Sequence, residues 1–84
     1  MEKKASKKVN VEIFGDTYPF RTDGDPGELK KLAAFVDQHM QRAAKRTRSL
    51  DTRKIAVLSA LELADEYFKL KKDYDELVEM LEDK

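Results

Sequence analysis

The sequence predicts an α+β fold: a small head made of a β-hairpin packed on a helix, then a long C-terminal helix forming an intermolecular coiled coil. Three observations predict it. Residues 9–20 alternate apolar and polar around a Gly-Asp turn, residues 29–43 repeat apolar side chains at helical spacing, and residues 52–83 carry a heptad seam with no charge in it. The chain as a whole is 40% charged, so an uncharged seam of that length is not accidental. The expected organisation is a disordered basic tail over residues 1–8, a head over residues 9–50, and a long helix over residues 51–84. The first half of that helix belongs to the head and the second half is a coiled-coil arm.

Residues 1–8 hold four lysines and no large apolar residue after the initiator Met, a composition that cannot bury a core. They read as a solubilising tail. Val9, Val11 and Ile13 then share one face of a strand, with Asn10, Glu12 and Phe14 on the other. Gly15-Asp16 suits a two-residue turn with Gly first, which pairs Phe14 with Thr17, Ile13 with Tyr18 and Val11 with Phe20. Both aromatic residues fall on the aliphatic face, and Pro19 marks an edge strand. Two strands alone are marginal in water, so this face needs a helix over it.

Asp25-Pro26-Gly27-Glu28 is a helix start, with Asp as N-cap, Pro at the first position and Glu placed to complete a capping box. Leu29, Leu32, Ala33, Val36, Met40 and Ala43 keep one face of that helix apolar. Residues 47–51 break the period. Asp51 then caps the long helix, and Leu50 is placed to staple onto Ile55.

The seam of the long helix runs Ala56, Ala60, Leu63, Tyr67, Leu70, Tyr74, Leu77 and Leu81, spaced alternately four and three. A second row, Val57, Leu61, Ala64 and Phe68, ends where Lys71 and Asp75 take its next places. Burial on two sides is expected up to Phe68, and a single stripe beyond it. About 32 helical residues span roughly 48 Å, longer than a domain of this size is wide. Leu63, Tyr67, Leu70, Tyr74, Leu77 and Leu81 are therefore the expected oligomerisation residues. Val78 and Met80 widen the stripe near its end, which favours more than two helices there.

Composition narrows the function. The chain has 84 residues and no Cys, which leaves oligomerisation rather than disulfides or thiolate metal sites to support a head of about 42 residues. No signal peptide or membrane span is read, and a soluble intracellular protein is expected. Residues 1–54 hold 13 Lys and Arg against 8 Asp and Glu, while residues 55–84 hold 4 against 9. The head is thus basic and the arm acidic, which suits an acidic partner for the head.

No catalytic, cofactor or metal site is expected. The single His, His39, has no Cys or second His beside it, and Gly15, Gly24 and Gly27 do not form a phosphate loop. The candidate site is the elbow between the helices, where Arg42, Lys45, Arg46, Arg48, Arg53 and Lys54 cluster. The first three suit the C-terminal dipole of their own helix. Arg53 and Lys54 stand at a helix N-terminus, where positive charge costs roughly 0.3 to 1 kcal/mol, so local stability did not select them. Arg46, Arg48, Arg53 and Lys54 are taken as the partner-binding residues.

In order along the chain, VNVEIFGDTYPFR (9–21), DPGELKKLAAFVDQHM (25–40) and RTRSLDTRKIAVLSALELADEYFKL (46–70) resemble the ZapA family of bacterial cell-division proteins. The resemblance implies a non-enzymatic protein of the cytoplasm, at the division site, that binds FtsZ polymers and cross-links protofilaments to stabilise the Z-ring during septation. It also implies a homodimer through heads and long helices, and a homotetramer through antiparallel arms. The family's charged head surface carries over to Arg46 and Arg48, whereas Asp16 is acidic where some relatives are basic. No cofactor and no membrane partner follow from it. Two alternatives stand beside it: a coiled-coil adaptor for another client, and a nucleic-acid-binding module using the basic elbow. Zero net charge and an acidic arm argue against the second.

Overall fold

The computed structural model describes residues 6–48 and 50–82. Two strands, β1 (Lys7–Ile13) and β2 (Asp16–Thr22), are followed by α1 (Pro26–Thr47) and α2 (Thr52–Glu82). The hairpin lies on α1, and α2 leaves the head as an arm. The radius of gyration is 17.4 Å, against about 12 Å for a compact chain of this length, and the molecule measures 51 × 50 × 17 Å. Most of the expected tail, residues 1–5, lies outside the described residues, while Lys7 and Lys8 extend the strand opposite Thr22 and Arg21.

The hairpin turn differs from the expected one. Its central residues are Phe14 and Gly15, with φ of 51° and 85°, so both occupy the left-handed region as a type I′ turn requires. Ile13 therefore pairs with Asp16, Val11 with Tyr18 and Val9 with Phe20, a slide of two residues from the expected register. An even slide keeps every side chain on its face, so the aromatic residues still share the side of Val9 and Val11. A left-handed Phe costs about 1 kcal/mol or more. Tertiary structure offsets it: the Phe14 N–H donates to Asp37 Oδ1 at 2.6 Å, and its ring packs on the cluster around Met40. Pro19 faces Asn10, and bonded and non-bonded pairs alternate from Ile13–Asp16, so its nitrogen points away from β1 and no ladder bond is lost.

Asp25 caps α1 as expected, its Oδ1 accepting from the Gly27 N–H at 2.9 Å and its carbonyl from Glu28 and Leu29. Two small apolar clusters form the core. Val9, Val11 and Ala33 make one beneath the hairpin, and Met40, Ala43 and Ile55 make the other where the helices meet. Ile13 packs against both and ties the strand to the helix junction.

Two expectations about α2 are corrected. Leu50 is 98% exposed and does not staple onto Ile55, because Ile55 is already enclosed by Met40 and Ala43. The row Val57, Leu61, Ala64 and Phe68 is exposed in the single chain; the row turned to α1 is Ile55, Ser59 and Glu62 instead. Only Ile55 of that row is apolar, so the row leaves no helical spacing of apolar residues in the sequence.

Candidate partner-binding site

The elbow is built by two caps. α1 ends at Arg48, whose φ of 58° is left-handed and whose N–H donates to the Ala44 carbonyl at 2.9 Å. Gly usually fills this position, so an Arg here costs about 1 kcal/mol. α2 begins with Asp51, whose Oδ1 accepts from the N–H groups of Arg53 and Lys54 at 3.0 and 3.4 Å. These caps hold Arg48, Arg53 and Lys54 on the outside of one bend, all exposed and without an ion pair among the described residues. Cations at the start of α2 meet the positive end of its dipole, so these charges are mildly unfavourable for their own fold.

Arg46 is placed differently. Its guanidinium bonds Glu62 Oε2, while His39 Nε2 lies 3.0 Å from Glu62 Oε1, which puts a proton on Nε2. The Arg46 hydrogen bond, with His39 adding to it, holds the Glu62 carboxyl below the usual carboxylate range against the opposing effect of burial. His39 and Arg46 are seven residues apart, two turns on one face of α1, and Glu62 is the sole acid among residues 52–64. That spacing was the available signal for the brace. His39 is accordingly a buried structural residue, 7% exposed, in a cleft shared with Arg42, Asp65 and Lys69.

Apolar surface flanks the bend on both sides. A groove of about 620 Å³ runs between hairpin and helices, with Tyr18, Phe20, Val36 and Met40 along it and Asp51 and Arg53 at its rim. Arg53 also walls a second groove, with Lys54, Val57 and Leu61. Along the arm, Tyr67, Leu70, Tyr74, Leu77 and Leu81 are all more than half exposed, and Leu63 is half-buried. From Tyr67 to Leu81 the seam is thus an uncovered apolar stripe in a single chain. Among the described residues no group of His, Asp and Glu gathers in a way that could hold a metal ion, and no helix is long and apolar enough to cross a membrane.

The family model for cell division protein ZapA matches residues 9–84. The chain belongs to the ZapA family. Cell division protein ZapA of Shouchella clausii (strain KSM-K16) is 42% identical over 76 residues, covering 89% of this chain and 97% of that one. The Geobacillus thermodenitrificans (strain NG80-2) protein of the same name is 38% identical over 81 residues, covering 96% and 89%. Among solved structures, the ZapA mutant dimer from Geobacillus stearothermophilus matches with a TM-score of 0.73 at 36% identity, covering 98% of this chain and 95% of that one.

Proposed function

We propose that this chain is a non-enzymatic cross-linker of FtsZ protofilaments, acting in the cytoplasm at the bacterial division site. In this reading the chains dimerise through heads and long helices, and dimers join through antiparallel arms into tetramers. The elbow cations Arg48, Arg53 and Lys54 meet acidic surface on the filament, and Arg46 contributes from its place beside Glu62. The observation that carries the reading is the separation of two unsatisfied surfaces, one along the long helix and one at its base. An uncovered seam occupies the arm and a cation cluster occupies the bend at its base. One surface joins copies and the other holds clients, so weak heads gain avidity through valency, which requires no chemistry.

Pelleting with FtsZ polymers, combined with electron microscopy, tests it. Reversing Arg48 and Arg53 to Glu abolishes filament bundling while mass in solution and helix content stay at parent values, and parent binding weakens as salt rises. Bundling by the double variant equal to that of the parent, across salt, removes the elbow from the mechanism. A shift of duplex DNA by the parent, with no pelleting on FtsZ, overturns the reading in favour of nucleic acid.

A further inference from the structure

We infer that Leu50 is the apolar anchor of the elbow, and that its counterpart on the acidic partner is a small apolar pocket rimmed by carboxylates. The inference rests on the reading of the elbow as the filament-binding surface. Leu50 is 98% exposed, and Ile55, its expected neighbour, packs on Met40 and Ala43 without it. The head therefore gains nothing from a leucine here. A single exposed leucine is ordinary, and its surroundings are what give this one a role. It stands in the bend between Arg48 and Arg53, and the residues that follow it, Asp51, Thr52 and Arg53, form the rim of the 620 Å³ groove. Binding surfaces concentrate affinity in an apolar centre within a polar rim, and an exposed leucine with Arg48 before it and Arg53 and Lys54 after it is that arrangement at the scale of one loop.

Charge selects the occupant. A second copy would meet this surface across a twofold axis, bringing Arg48, Arg53 and Lys54 towards their own equivalents as the contact loses water. The loop's one carboxylate, Asp51, whose Oδ1 accepts from the backbone N–H groups of Arg53 and Lys54, offsets only part of the charge of these three cations. An acidic partner meets the same cations with attraction. The cations then steer the encounter over a distance set by salt, and Leu50 supplies the part of the affinity that salt does not reach.

The test is pelleting of full-length Leu50→Ser and Leu50→Met with FtsZ polymers from about 0.1 M to about 1 M salt, the range over which the Debye length falls from about 10 Å to about 3 Å. Leu50→Ser is expected to weaken binding about 10- to 100-fold with the salt slope unchanged, the loss that matches burial of one leucine side chain. Leu50→Met restores it, and Arg53→Glu changes the slope instead. Equal binding by Leu50→Ser and the parent overturns the anchor and leaves the elbow standing. A fall in solution mass for Leu50→Ser shows that a second copy covers the residue and also overturns it. If the parent itself does not pellet, the elbow reading fails and the anchor with it.

Discussion

The head and the arm spend apolar residues in opposite ways. In the head the buried positions are mostly small or β-branched, such as Val9, Val11, Ala33, Ala43 and Ile55, and they close on one another within the chain. Along the arm the large residues Tyr67, Leu70, Tyr74 and Leu81 stay in water. What holds the arm helical by itself is slight: the Lys69–Asp65 and Lys71–Asp75 pairs at i,i+4 spacing contribute roughly 0.3 to 0.5 kcal/mol each. The difference teaches that the chain completes its packing in the head and leaves it open along the arm. The head stores intramolecular stability, while the arm's large apolar side chains are left uncovered by the chain itself.

The largest expected effect is on the arm side of that division. Leu77→Glu places a charge in the seam and forfeits roughly 1.5 to 3 kcal/mol of apolar burial per copy. Tetramers should fall to dimers in light scattering while the head keeps its melting transition. A parent that never exceeds a dimer at high concentration would break the division at its root. Next comes the head. Ile13→Ala, which removes the side chain shared by both clusters, should cost about 2 kcal/mol, the low end for core truncation because Ile13 is only half-buried. The variant should retain parent mass below its lowered melting temperature, and an unchanged midpoint would show that the clusters do not depend on this link.

The smallest effect belongs to the joint. The Glu62 carboxyl is held below its ordinary range, chiefly by Arg46, so its contribution is fully present above the ordinary carboxylate range and is lost as pH falls through the lower folded-state value. Glu62→Gln should therefore melt below the parent at neutral pH and converge with it in acid. Parallel pH profiles for the two proteins would show the brace to be ornamental.

Much of this was legible from residues alone, for identifiable reasons. The alternation of Val9, Val11 and Ile13, the Asp25-Pro26 start and the seam of α2 are local patterns, and local patterns survive without knowledge of the fold. The turn was not legible, because Phe14 takes a left-handed φ only with Asp37, 23 residues away, accepting its N–H. The staple failed for a related reason: Leu50 could reach Ile55 only if α1 had left Ile55 uncovered. At the candidate site the clustering of cations was visible, but a charge count does not distinguish Arg46, drawn to Glu62, from Arg48 and Arg53, held outside. The row Ile55, Ser59, Glu62 was hidden by its polar members. Ser59, buried with its hydroxyl unpartnered, shows that this contact was not chosen for apolar character.

The position of the Glu62 brace also gives the molecule leverage. Among the described residues the brace is the last polar tie between α2 and α1, and from residue 62 to residue 82 about 20 residues, or roughly 30 Å of helix, project beyond it. A tilt of only about 10° at the brace swings the far end by about 5 Å, close to one helical pitch. The Arg46–Glu62 pair at the fulcrum therefore sets the direction in which the apolar stripe of the arm is held relative to the head.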